Sequence, residues 1–173
     1  VLYTCTLTQR VFYVESYLMY FTDVDRQLFI TADNTMQLYI DGVDSEINTL
    51  STTTDWQQTK VAKLPRRSRV IAVKVTDTGV AAGLLASATG DYLLTDENWV
   101  VSDTLVDGWN KPEFDDSKWT KATPEGNHGV QPWGTRPQIS SNAKWIWNKD
   151  TTKQGTTGTT TLYFRIRLGR DYF

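Results

Sequence analysis

The stretch Thr31-Ala-Asp-Asn-Thr-Met-Gln-Leu-Tyr-Ile-Asp-Gly42 decides how this chain is read. Two runs of strand character, QLFITA (27–32) and MQLYI (36–40), flank the polar pair Asp33-Asn34, and Asp41-Gly42 closes the second run with a turn dipeptide. A polar pair between two strands is either a turn or a ligand site.

The same grammar extends outward in both directions. YTCTLTQRVFYV near the start alternates and is rich in β-branched and aromatic residues. Trp56 opens WQQTKVAKL, which ends at Pro65 before the basic turn PRRSR. Val70-Ile-Ala-Val-Lys-Val-Thr76 is short and apolar enough for a buried strand, and Gly79 and Gly83 frame a bend before LLASA. From Asp96 to Asn148 the tryptophans are widely spaced and four prolines intervene (Pro112, Pro124, Pro132, Pro137), so no amphipathic helix of ordinary length fits.

A Thr/Gly-rich link, 151–161, precedes Leu162-Tyr-Phe-Arg-Ile-Arg-Leu168, which alternates with Tyr163, Arg165 and Arg167 on one face and Phe164 and Ile166 on the other. This terminal strand echoes TLTQRVFYV. Either the two ends pair in one sheet, or the tail begins a following repeat. Many short strands separated by turn signals predict an all-β antiparallel β-sandwich of jelly-roll type, with residues 1–173 as one domain.

Composition narrows the function. The 173 residues are 39% hydrophobic and 22% charged, which lies in the globular range. A net charge of −2 offers no basic field for a nucleic acid. No apolar run approaches the ~20 residues of a membrane span, and VLYTCTLTQR lacks a signal-peptide layout, so the Val1 start suggests a mature or excised segment. The single cysteine, Cys5, excludes an intrachain disulfide and reads as a small apolar residue on an N-terminal strand, with an interchain bridge as the alternative. Seven tryptophans and eight tyrosines serve either a sandwich core or a ligand platform.

Catalytic signatures are sparse. There is no GxSxG, HExxH, phosphate-binding glycine loop or EF-hand spacing. The one histidine, His128, stands in the loop PEGNHGVQPWG and reads as a residue without chemistry. Asp23/Asp25, Asp96-Glu97 and Asp115-Asp116 read as solvated turn residues rather than a carboxylate pair.

From Gln27 to Trp119 the chain resembles galactose-binding-domain-like β-sandwiches, especially the rhamnose-binding modules of α-L-rhamnosidases. The matching residues are TADNTMQLYIDG, WQQTKVAKL, VIAVKVTDTGVAAGLLAS, ENWVVS and GWNKPEFDDSKW, in that order. Within the last segment Trp109 and Trp119 read as core anchors and Asp115-Asp116-Ser117 as a capping turn. The resemblance implies a calcium ion on Asp33 and Asn34, completed by backbone carbonyls between Thr76 and Ala82, with sugar hydroxyls on the ion and Trp56 stacked on the sugar. Calcium suits such a shell because it takes six to eight oxygen ligands of mixed kind. The chain departs from the family pattern in the loop VTDTGVAAGLL and in the insertion SEINTLSTTTD.

The expectation is therefore a secreted, non-catalytic carbohydrate-binding module. It would recognise a terminal sugar such as rhamnose or galactose on a carbohydrate or glycoconjugate, through calcium. The alternatives are a structural or adhesive module that self-assembles through its terminal strands, and an accessory domain of a larger glycoside hydrolase.

Overall fold

The computed structural model describes residues 26–45, 47, 56–79, 81–148 and 159–169. The N-terminal strand, Cys5, Asp23, Asp25 and most of the 151–161 link fall outside them.

Two antiparallel sheets form a β-sandwich. The first has the order β4 (Lys60–Leu64), β1 (Arg26–Asp33), β6 (Gly83–Ala88), β10 (Lys144–Trp147), β9 (Thr123–Asn127). The second runs β3 (Val43–Asp44), β2 (Thr35–Ile40), β5 (Val70–Asp77), β11 (Thr160–Arg167), β7 (Val100–Ser102), β8 (Thr120–Lys121). Helical structure among the described residues is limited to short 3-10 turns such as Thr89–Asp91.

The alternation in the sequence sets the layers. Leu28 and Ile30 of β1, Leu38 of β2, Val73 and Val75 of β5, and Phe164 of β11 meet Trp99, Ile146 and Trp147 in the central core. Two strands do not alternate, GLLASA and VIAV, because both of their faces are covered. Leu85 turns away from the core into a second cluster with Trp133, Ile139, Ala143 and Trp145, and Ala72 turns into a third with Trp109 and Tyr163. Gly83 is required here: a Cβ on it would lie 2.7 Å from the Trp145 ring. At the β2–β3 turn Asp41 and Gly42 both have positive φ, 51° and 82°, the twist a two-residue hairpin needs.

The tail strand begins at Thr160, earlier than the expected Leu162, and lies inside its sheet. It pairs with β5 along its whole length on one side and, through Tyr163–Arg165, with β7 on the other, so it is an interior strand. Its two faces are as expected: Leu162 and Phe164 enter the core, and Tyr163 and Arg165 face outward.

The outward face is not solvated, because the segment Asp103–Trp119 straps across it. Trp109 stacks on Trp119 at 6.3 Å and meets Tyr39 and Tyr163 edge-on at 5.7 and 5.0 Å. Asp115 caps the backbone N–H of Ser117 at 3.0 Å, as expected, but Asp116 does something else. It accepts Nε of fully buried Arg165 at 2.8 Å and Nε of Arg167 at 3.1 Å. Burial alone would raise the Asp116 carboxyl, yet the two arginine hydrogen bonds hold it below the ordinary value. The same guanidinium groups donate to the carbonyls of Trp109, Lys111, Pro112 and Phe114, which ties the strap to β11.

Candidate functional site

The chain crosses between the sheets twice at one corner. At Asp33-Asn34 it leaves β1 of the first sheet and enters β2 of the second. After Asp77 it leaves β5 of the second sheet and returns to β6 of the first. The registers Asp33↔Gly83 and Thr35↔Thr76 bring the two crossings side by side.

Each crossing delivers a buried carboxylate. Asp33 is 5% exposed and Asp77 is 2% exposed. Asp33 Oδ2 accepts the indole N–H of Trp133 at 2.8 Å, and Oδ1 accepts the Asn34 side-chain amide at 2.7 Å. Asp77 Oδ1 accepts the backbone N–H of Gly79 at 3.0 Å. Burial pushes the Asp33 carboxyl up; the Trp133 bond opposes this, and the neighbouring negative charge of Asp77 adds to it. Burial likewise raises Asp77, against the backbone N–H bonds of Gly79 and Thr78. Two carboxyls withdrawn from water, with the charge of Asp77 felt at Asp33, are an arrangement that a cation would relieve.

Asn34 stands between the crossings, joined to Asp33 by a cis peptide bond. Its Oδ1 accepts both the backbone N–H of Thr78 at 2.7 Å and the Thr78 hydroxyl at 3.0 Å, while its backbone N–H donates to the Thr76 carbonyl at 3.3 Å. An amide oxygen has two lone pairs, and Thr78 takes both. Asn34, expected as a metal ligand, stands at the corner and braces the returning loop, and Asp77 brings a second carboxylate there. Among the described residues no three His, Cys, Asp or Glu side chains cluster as metal ligands. A calcium ion would therefore rely on Asp33 and Asp77 together with loop carbonyl oxygens, which is a donor set of the right chemical kind.

The aromatic side of the corner comes from far along the chain. Trp133 stacks on Trp145 at 4.5 Å with its N–H aimed at Asp33. Trp56, the expected sugar platform, lies in a turn before β4 and is half-buried against the same cluster, its carbonyl accepting the Thr31 hydroxyl at 2.9 Å. The Arg136 guanidinium sits 5.0 Å above the Trp56 ring and donates to the Trp133 carbonyl at 2.6 Å, so one face of Trp56 is covered. His128 holds this loop in shape. The Ser140 carbonyl, 3.0 Å from Nδ1, can only accept, and the Arg136 backbone N–H donates to Nε2, so Nδ1 carries the proton.

Asp96-Glu97 behaves as a turn pair. Asp96 accepts the backbone and side-chain N–H groups of Asn98 at 2.8 and 2.9 Å, and Glu97 pairs with Lys144 at 3.1 Å.

No family model matches the chain. The α-L-rhamnosidase of Streptomyces avermitilis is 29% identical over 132 residues, covering 69% of this chain. The chain is similar to one region of that enzyme. It spans only 13% of the relative's length. The crystal structure of Streptomyces avermitilis α-L-rhamnosidase complexed with L-rhamnose superimposes with a TM-score of 0.56 at 19% identity, over 84% of this chain and 20% of that one. At that identity the match shows a shared β fold.

Asp77, Trp133 and Arg136 were not singled out from the sequence. Asp77 lay in a loop valued only for its carbonyls. Trp133 is 100 positions from Asp33, and nothing local signals their contact.

Proposed function

We propose that the chain is a non-catalytic, carbohydrate-binding accessory domain of a larger glycoside hydrolase acting on rhamnose-containing glycans. The partial match to a rhamnosidase favours this over a free-standing lectin. The observation that carries the binding reading is the buried Asp33–Asp77 pair at the sheet crossing. Calcium held there by Asp33, Asp77 and carbonyl oxygens of the Thr78–Ala82 loop would neutralise the pair and offer positions for vicinal sugar hydroxyls. Trp133 fixes the Asp33 carboxylate, Asn34 fixes the loop, and the uncovered surface of Trp56 supports the sugar's apolar face. Both Asp33 oxygens already accept protein N–H groups, which suits a fixed ligand better than a group that must shuttle protons. In this reading the domain is secreted together with the hydrolase that carries it.

Calorimetric titration of the chain with L-rhamnose, in calcium and in chelator, tests this. Calcium should add a binding component that is absent in chelator and lost in Asp33→Ala. A rhamnose affinity that is the same in calcium and in chelator, or no binding in either, refutes it.

A further inference from the structure

A concavity lies at the β7–β8 edge of the six-stranded sheet, where the strap leaves β7 and returns into β8. It encloses about 340 Å³, at the small end of ligand pockets, and is lined by Ser102, Asp103, Lys118, Trp119 and Asn148 among others.

Three features distinguish it from an ordinary surface dent. First, Trp119 has one face stacked on Trp109 and meets Phe114 at 5.6 Å, so the ring is locked while part of it still lines the groove. A rigid indole is a low-entropy platform for the apolar face of a sugar ring. Second, Asn148 Oδ1 is buried and has no hydrogen-bond partner among the described residues. A buried acceptor left unmatched is costly, and rotation of the Asn148 amide toward the groove it lines would let a ligand hydroxyl satisfy it. Third, the flanking charges cancel: Asp103 and Lys118 stand at the same groove, so it selects neither anions nor cations. The Ser102 hydroxyl is engaged with Thr104, accepting its N–H at 3.0 Å, which keeps the rim in place.

We propose that this groove is a second saccharide subsite, taking one neutral sugar ring on Trp119 with a hydroxyl donated to Asn148 Oδ1. It works without a metal ion. The sugar class is drawn from the groove itself, so this proposal and the corner reading fail separately. Two subsites on one domain would let it grip a polysaccharide at two points, where the second contact is made at high effective concentration.

The test is an NMR titration of the ¹⁵N-labelled chain, in chelator, with methyl α-L-rhamnoside, methyl β-D-galactoside, methyl β-D-glucoside and methyl β-D-xyloside, following the indole N–H signals. At least one glycoside should shift the Trp119 signal saturably, with a dissociation constant on the order of 1 mM, while Trp133 stays put. Asn148→Ala should weaken that binding about tenfold without lowering the melting temperature, since it deletes an unmatched acceptor. Asp33→Ala should leave the Trp119 response intact. A Trp119 signal that ignores all four glycosides, or an unchanged affinity in Asn148→Ala, overturns the proposal. The corner reading is decided apart from this, by the calorimetric comparison of calcium with chelator.

Discussion

If Asp33 and Asp77 are a cation site, replacing Asp77 by Asn should stabilise the protein in chelator and abolish its response to calcium. The substitution keeps the oxygen that accepts the Gly79 N–H at 3.0 Å and nearly the same volume, while removing the like charge that helps raise Asp33. Relief of that repulsion should add about 1 kcal/mol, within the usual span for a point change, or about 2–4 °C in a domain of this size. Calcium works on the native chain in the same direction. At a hundredfold excess over its dissociation constant a ligand adds about 2.7 kcal/mol, or about 5–10 °C, provided it ignores the unfolded state. Asp77→Asn should lose most of that gain. Thermal melts followed by tryptophan fluorescence, in chelator and in calcium, give all four numbers. The reasoning fails if the variant melts lower than the native chain in chelator, or if both gain equally from calcium.

Other consequences follow from the same contacts. In chelator, the raised Asp33 and Asp77 carboxyls make the ionised pair a cost at neutral pH, so stability should rise as pH falls toward the ordinary carboxylate value of 3.8. Asp116 has the opposite sign: its lowered carboxyl contributes stability above 3.8 that is lost as pH falls further, so acid melts should show a maximum. Asp116→Asn, by leaving buried Arg165 without its counter-charge, should lower stability by about 3–5 kcal/mol in urea unfolding. Gly83→Ala should drive a methyl into the Trp145 ring and lower stability by about 1–3 kcal/mol, with a change in near-ultraviolet circular dichroism from the displaced Trp133–Trp145 stack.

How far the sequence alone reaches depends on how local the cause is. MQLYIDG could be read because a strand period and a two-residue turn are both written within a few residues, and the φ values of Asp41 and Gly42 agree. The two faces of β11 were equally legible from alternation. Burial of Arg165 was not, because it depends on a strap packing over the outer face from about 50 positions away. The strands β9 and β10 escaped notice for a related reason. Their residues, TPEGN and KWIW, carry a proline, a glycine and bulky rings where a strand period would show; β10 forms because β6 offers it a partner, and β9 because β10 does.

The corner shows the same division within one dipeptide. Asp33 and Asn34 attract attention as a pair, but the fold gives them different duties: Asp33 faces a second carboxylate, while Asn34 spends both lone pairs on Thr78. What makes the place chemically unusual is the meeting of Asp33 with Asp77, 44 positions later, and that meeting is a property of the topology. A chain that crosses between sheets twice at one end must bring the last residues of β1 and β5 together, whatever they are. Two acids at those positions therefore gather charge in a buried place, where it calls for a partner that the described residues do not supply.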